Sequence, residues 1–180
     1  MFHHRPPAGL PNDDDAWRIQ SLGHSLLADA GYEQYEISAF SRPGHRSRHN
    51  LNYWQFGDYL AAGAGAHGKL TRTAGNIERY VKPMHPLVFI EQVEQNAMDR
   101  STRIVDPADL DLEFMLNGLR LIDGISIDLF RQRTGRDPAA IAAKIDAAVA
   151  DGLLDAKDET WRPTADGFRL LNELQARFLP

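Results

Sequence analysis

Residues 12–40 read NDDDAWRIQSLGHSLLADAGYEQYEISAF, and the order of their patterns decides the fold class. Asn12 or Asp13 can cap a helix, and Asp14 and Asp15 stand where the helix dipole favours negative charge. Ile19, Leu22, Leu26, Leu27 and Ala30 then recur at helical spacing, and Gly31 suits a left-handed stop. Residues 32–40 follow at once, rich in aromatic and β-branched side chains, with Tyr35, Ile37 and Ala39 opposite Glu36, Ser38 and Phe40. That alternation predicts one strand. A helix running straight into a strand is the repeating step of an α/β layer or barrel.

Outward from this step the pattern breaks. Residues 41–68, SRPGHRSRHNLNYWQFGDYLAAGAGAHG, hold three arginines, three histidines and four aromatic residues. Long irregular segments in compact domains are functional or disordered, and the aromatics argue against disorder, so the chemistry is expected here. Residues 69–73 and 77–81 flank an Ala-Gly-Asn turn and predict a hairpin, and residues 86–98 predict a helix. A second unit begins at Asp106-Pro107, an N-cap followed by proline at the first helical position, with a helix to about 122. Helices at 126–134 and 138–151, strands at 153–156 and 160–163, and a last helix over 164–178 complete it. Three helices, a hairpin and a helix predict a winged-helix-like domain. The expected organisation is α/β for residues 1–98, a Pro-containing polar linker at 99–106, and an α+β domain at 107–180.

Composition bounds the chemistry. With 180 residues, 43% hydrophobic and 25% charged, the chain has the makings of a buried core. It has no cysteine, which excludes disulfides, thiolate nucleophiles, Cys-ligated zinc and any iron–sulfur cluster held by this chain. A net charge of -5 and a pI near 5.8 argue against wholesale binding of nucleic acid or acidic membranes. No run approaches the roughly 20 apolar residues of a membrane span, and MFHHRPPAG lacks a signal peptide's apolar stretch, so the expected address is cytoplasmic. HHRPPAGLPNDDD reads as a loop leading into a helix, and the expectation is a fragment of a longer protein.

Three constellations stand out. In His49-Asn50-Leu51-Asn52-Tyr53-Trp54 an imidazole can ligate haem iron or another metal, Asn50 and Tyr53 can orient it or bind propionates, and the rings can cover a porphyrin face. The bland alternative is a hydrogen-bonded loop histidine with Tyr53 and Trp54 in the core. Arg42, Arg46 and Arg48 just upstream suit carboxylates or phosphates, or plain solvent. Gly63-Ala64-Gly65-Ala66-His67-Gly68 formally matches a dinucleotide fingerprint, but strand and turn follow it instead of a helix, so that reading is rejected. Glycines there let a strand end approach backbone or ligand closely, with His67 facing a site or capping it. The winged-helix-like unit carries 9 Lys and Arg against 13 Asp and Glu between residues 107 and 180, and the helix before its hairpin offers Lys144 as its only basic residue. A groove-reading helix needs several donors, so this unit is read as a packing or partner-binding domain.

YEQYEISAFSRPGHRSRHNLNYWQFGDYLAAGAGAHGKL, residues 32–70, resembles the segment of HemW-type haem chaperones that carries the H-N-x-x-Y-W motif and the glycine-rich strand end after it. These chaperones are radical-SAM relatives of oxygen-independent coproporphyrinogen III oxidase. LPNDDDAW, FMLNGLRLIDGISIDLF and DGLLDAKDETWRPTADGFRLLNEL are similar too, so the resemblance covers essentially the whole chain. It implies the C-terminal part of a partial (β/α) radical-SAM barrel followed by the family's C-terminal domain. It also implies haem binding at His49, Asn50, Tyr53 and Trp54, with His49 on the iron, and hand-over to a haem-accepting protein. Gly63, Gly65 and His67 would lie on the S-adenosylmethionine side. The alternative is a portion of the oxidase itself, acting in porphyrin biosynthesis. The family's C-x-x-x-C-x-x-C for a [4Fe-4S] cluster is missing from this sequence, so the chain by itself cannot run the radical reaction.

Overall fold

The computed structural model describes residues 7, 9–73, 75–97 and 100–180. They divide into two compact units, Met1–Arg46 and Ser47–Pro180.

In the first unit, helix α1 (Asp13–Asp29) starts where the Asn12 side chain accepts the Asp15 N–H at 2.8 Å and ends ahead of Gly31, which takes φ +81°. No residue of α1 is buried, and Trp17, Ile19, Leu22 and Leu26 are each more than half exposed, so its apolar stripe is uncovered. The single strand expected over 32–40 is two, β1 (Glu33–Glu36) and β2 (Ala39–Ser41), paired antiparallel with an irregularity between Gln34 and Glu36. Alternation survives when a strand folds back on itself, so periodicity could not expose the turn. The Gln34 amide holds that turn by donating to the Ile37 carbonyl at 3.1 Å.

The second unit opens on a helix where the sequence reads as irregular: α2 (Arg48–Trp54), capped by Ser47, whose Oγ accepts the Asn50 N–H at 3.2 Å. β3 (His67–Thr71), β4 (Ile77–Val81) and β5 (Ser101–Ile104) form an antiparallel sheet in that order. The expected hairpin is present and begins two residues earlier; Ala74 of its turn lies outside the described residues. Residues 101–104, read as polar linker, pair with β4, and Val105 beyond them is buried and donates its N–H to the Ile77 carbonyl at 2.8 Å. α3 (Pro86–Glu94) stops ahead of Asn96, which is left-handed at φ +52°; Met98, its expected end, lies outside the described residues.

The remainder runs α4 (Leu110–Gly118), β6 (Ile125–Ser126), α5 (Ile127–Thr134), a 3-10 turn (Pro138–Ile141), α6 (Ala142–Ala150), β7 (Leu154–Lys157), β8 (Thr160–Pro163), α7 (Ala165–Arg169) and α8 (Leu171–Ala176). α4 begins three residues past Pro107, because Asp106 closes a turn through the Ala108 N–H at 2.8 Å. β6 joins β8 and β7 in a second antiparallel sheet; at two residues it is too short for any periodicity to announce. The helix expected over 164–178 breaks at Leu170, whose φ of -107° and ψ of 36° are not helical. One hydrophobic cluster reaches from Phe56 and Ile77 through Phe114, Leu119 and Phe130 to Trp161 and Phe178. Along it the Phe56, Phe114, Phe130 and Trp161 rings meet edge to face with successive centroids 5.7, 5.2 and 5.5 Å apart.

Candidate functional site

Residues four apart share a helix face. His49 and Tyr53 stand on one face, their rings edge to face at 4.7 Å, with His49 exposed to solvent. Trp54, one step further round the helix, packs against the hydrophobic cluster, with the Arg120 guanidinium 4.2 Å from its ring centroid. Of the residues the sequence singled out, the helix therefore brings His49 and Tyr53 together and turns the Trp54 ring to the core. Asn50 gives its backbone N–H to the Ser47 cap.

Behind Tyr53 lies a chain of contacts that sequence reasoning missed. The Tyr53 and Tyr59 rings are 4.3 Å apart. The Tyr59 hydroxyl oxygen accepts from Arg79 Nη1 at 2.6 Å, and Arg79 grips Glu113 Oε2 through Nε at 3.0 Å and Nη2 at 2.7 Å. Arg103 takes the other Glu113 oxygen at 2.9 Å. Burial raises the Tyr59 phenol above its usual pKa, so it is neutral across the physiological range.

The exit from α2 is equally specified. Phe56 is left-handed at φ +56°, the Gly57 N–H donates to the Asn52 carbonyl at 2.7 Å, and Asn52 Nδ2 donates to the Asp58 carbonyl at 2.9 Å. A Cβ on Gly57 would overlap the Asn52 side chain, so the glycine is required. Lys69, 1% exposed, points inward from β3: its Nζ lies 2.8 Å from the Phe56 carbonyl, 3.0 Å from Asp58 Oδ1 and 4.1 Å from the Phe56 ring centroid. No alternation in the sequence signals it, since His67 and Thr71, two positions to either side in β3, are exposed.

The glycine-rich run forms a tight turn into β3, with Gly63 and Gly65 left-handed at φ +93° and +67°. The Gly65 N–H donates to the Pro83 carbonyl at 2.8 Å, and exposed His67 pairs across the ladder with Val81. His67, Lys82, Met84 and Gln92 line a shallow depression of about 600 Å³. Among the described residues, no three His, Asp or Glu side chains gather to hold a bare metal ion.

Comparison with known proteins shows what the chain is similar to. Residues 105–170 match the HemN C-terminal domain. The chain is 41% identical to the heme chaperone HemW of Haemophilus influenzae and 42% identical to that of Escherichia coli K12, each over 99% of the chain. The chain belongs to the HemW/HemN family. It spans 45% and 46% of the length of those two relatives. The solved structure of the coproporphyrinogen III oxidase HemN from Escherichia coli, a radical-SAM enzyme, superposes on 95% of the chain and 42% of its own length, with a TM-score of 0.65 at 17% identity. That likeness establishes a shared mixed α/β fold. Glu113, the far end of the contact chain behind His49, lies inside the HemN C-terminal match.

Proposed function

We propose that the chain is the haem-binding portion of a HemW-like haem chaperone, with haem as cargo and His49 as its iron ligand. One observation carries the reading: an exposed histidine held edge-on to a tyrosine, on a capped helix, within a sequence 41–42% identical over nearly its whole length to heme chaperones. The far lower identity to the oxidase, 17%, favours the chaperone over the enzyme. A single imidazole at the surface suits cargo that must leave again, since one nitrogen bond is easily exchanged for an acceptor protein's ligand. Arg48, beside His49 and exposed, suits a propionate. Asn50 and Tyr53 support the imidazole's helix, and Trp54 anchors that helix to the core.

The finer architecture belongs to the same proposal. α4 to α8 with the β6–β8–β7 sheet suit a winged-helix-like C-terminal domain over 107–180. For residues 1–98 the closing part of a partial (β/α) barrel rests on the family resemblance alone, and within the 99–106 linker residues 101–104 pair with β4 as a third strand. A [4Fe-4S] cluster does not fit these residues, because the chain has no thiolate to hold it. S-adenosylmethionine would meet Gly63, Gly65 and His67 from the parent protein's barrel mouth. Partners are haem and a haem-accepting protein, in the cytoplasm; among the described residues no helix is long and apolar enough to cross a membrane.

Titration of the chain with ferric haem tests the reading. A shifted Soret band is expected, and His49→Ala should weaken binding at least 10-fold, in line with loss of an iron ligand. Equal affinity in the variant would remove His49 from the iron.

A further inference from the structure

We infer that Tyr59, clamped by Arg79 and Glu113, is a positioning residue that fixes the orientation of the His49 imidazole, so that the HemN C-terminal domain sets the geometry of the haem ligand. The inference deepens the functional reading and, for its haem arm, rests on it.

His49 projects from a helix of seven residues into solvent, and the described ring contact on its flank is Tyr53. An exposed imidazole on so short a helix would sample several rotamers, each presenting its nitrogen differently to an incoming iron. Whether it holds one direction depends on whether Tyr53 can move. Tyr53 leans on Tyr59 at 4.3 Å, and Tyr59 is held at both ends. Its backbone exchanges two hydrogen bonds with Lys69, at 2.9 and 3.0 Å, which ties it to the edge of β3. Its hydroxyl accepts from Arg79, 2.6 Å away.

Arg79 is itself held from two sides. Its strand, β4, is the centre of the three-stranded sheet, and its guanidinium is occupied by Glu113 through two donors. Glu113 is held in turn by Arg103 from β5, so one carboxylate on α4 gathers both neighbouring strands. Paired charges in a partly buried setting make the strongest and most directional hydrogen bonds available to side chains. The path from α4 to the imidazole therefore consists of two charged hydrogen-bonded steps and two ring contacts. Residues that hold a ligating histidine in one orientation alter affinity without touching the metal.

Tyr59→Phe tests this in the full 180-residue chain, because it keeps the ring against Tyr53 and removes only the oxygen that Arg79 grips. Glu113→Gln is the second variant. In the haem-free chain, the His49 ring protons should carry a ring-current shift from Tyr53 in proton NMR spectra, and both variants should move them toward random-coil positions. In the haem titration, both should raise Kd on the order of 10-fold and broaden the ferric haem signal in electron paramagnetic resonance, with the thermal midpoint little changed in Tyr59→Phe. Unmoved His49 resonances in both variants would overturn the inference whether or not haem binds. Loss of affinity in His49→Ala with none in Tyr59→Phe or Glu113→Gln would overturn it while leaving the functional reading intact. Unaltered affinity in His49→Ala would sink the functional reading and the inference's haem arm together.

Discussion

Asp58 and Lys69 make the most informative residue pair in the second unit, because burial acts on both against the charge each carries. Burial pushes the Asp58 carboxyl up, but the Thr71 N–H, Lys69 and the Thr71 hydroxyl all donate to it and together hold it below the ordinary aspartate value of 3.8. Burial pulls Lys69 below its ordinary 10.5, and Asp58 offsets only part of that. For Asp58 the folded state binds its proton less readily than the unfolded chain. Its stabilisation is therefore complete above pH 3.8 and is lost as pH falls through the lower folded value. For Lys69 the sign is the opposite: a cost present at neutral pH is relieved as pH rises from its lowered value toward 10.5. In urea unfolding series, stability should fall less steeply below pH 3.8 in Asp58→Asn than in the parent chain. Parallel curves would show that the carboxylate's bonds carry no net weight.

At the element scale, what the sequence could announce depended on what each element is made of. The C-terminal helices and the β7–β8 hairpin were legible because Ser126, Asp137 and Thr164 each cap the element that follows and apolar residues recur with a clear period. α2 was not, since His, Asn, Tyr and Trp are weak helix formers and only the Ser47 cap marks its start. β5 was hidden because all four of its residues are exposed, leaving no alternation to read. The candidate motif itself was legible in residue type, while its support by Tyr59, Arg79 and Glu113 spans contacts up to 34 positions apart that no local pattern encodes. The β7–β8 hairpin also yields a stability prediction. Asp158 and Glu159 both sit in the left-handed region, at φ +51° and +54°, where a side chain costs about 1–2 kcal/mol. Glu159→Gly supplies the residue such a turn prefers and should raise the unfolding free energy by roughly 0.5–1 kcal/mol after the glycine's extra chain entropy is counted. A lower value by calorimetry would mean that Glu159 makes an interaction outweighing its backbone strain.

At the scale of the whole chain, 20 Lys and Arg stand against 25 Asp and Glu, a net charge of -5, and one of those cations is spent within the fold. Lys144, the only basic residue of α6, donates to the Leu179 carbonyl at 2.7 Å and lies 3.4 Å from that of Phe178. It is thereby turned to the chain's own terminus, where a groove-reading helix would present it to phosphate. The larger unit owes its unity to the one cluster from Phe56 to Phe178, which ties α2 and its sheet to the C-terminal helices. Patterning could list many of those apolar residues. Which of them meet is settled by packing across long sequence separations, and there the reading of the chain as two halves split at residues 99–106 had nothing local to test it.

The Trp54 placement has an optical consequence. α2 is only about 10 Å long, so an iron porphyrin seated on His49 would lie within efficient energy-transfer range of the indole five residues further along. The other two tryptophans, Trp17 on α1 and Trp161 in β8, belong to other elements. The Trp54 indole N–H makes no hydrogen bond among the described residues, so Trp54→Phe forfeits no partner and keeps an aromatic ring in the core. Haem arriving at His49 should quench the chain's intrinsic fluorescence, and Trp54→Phe should remove the most strongly quenched component. Undiminished quenching in the variant would place the porphyrin elsewhere. Under the proposed reading, the ring that anchors the helix would also report by its fluorescence whether haem is bound.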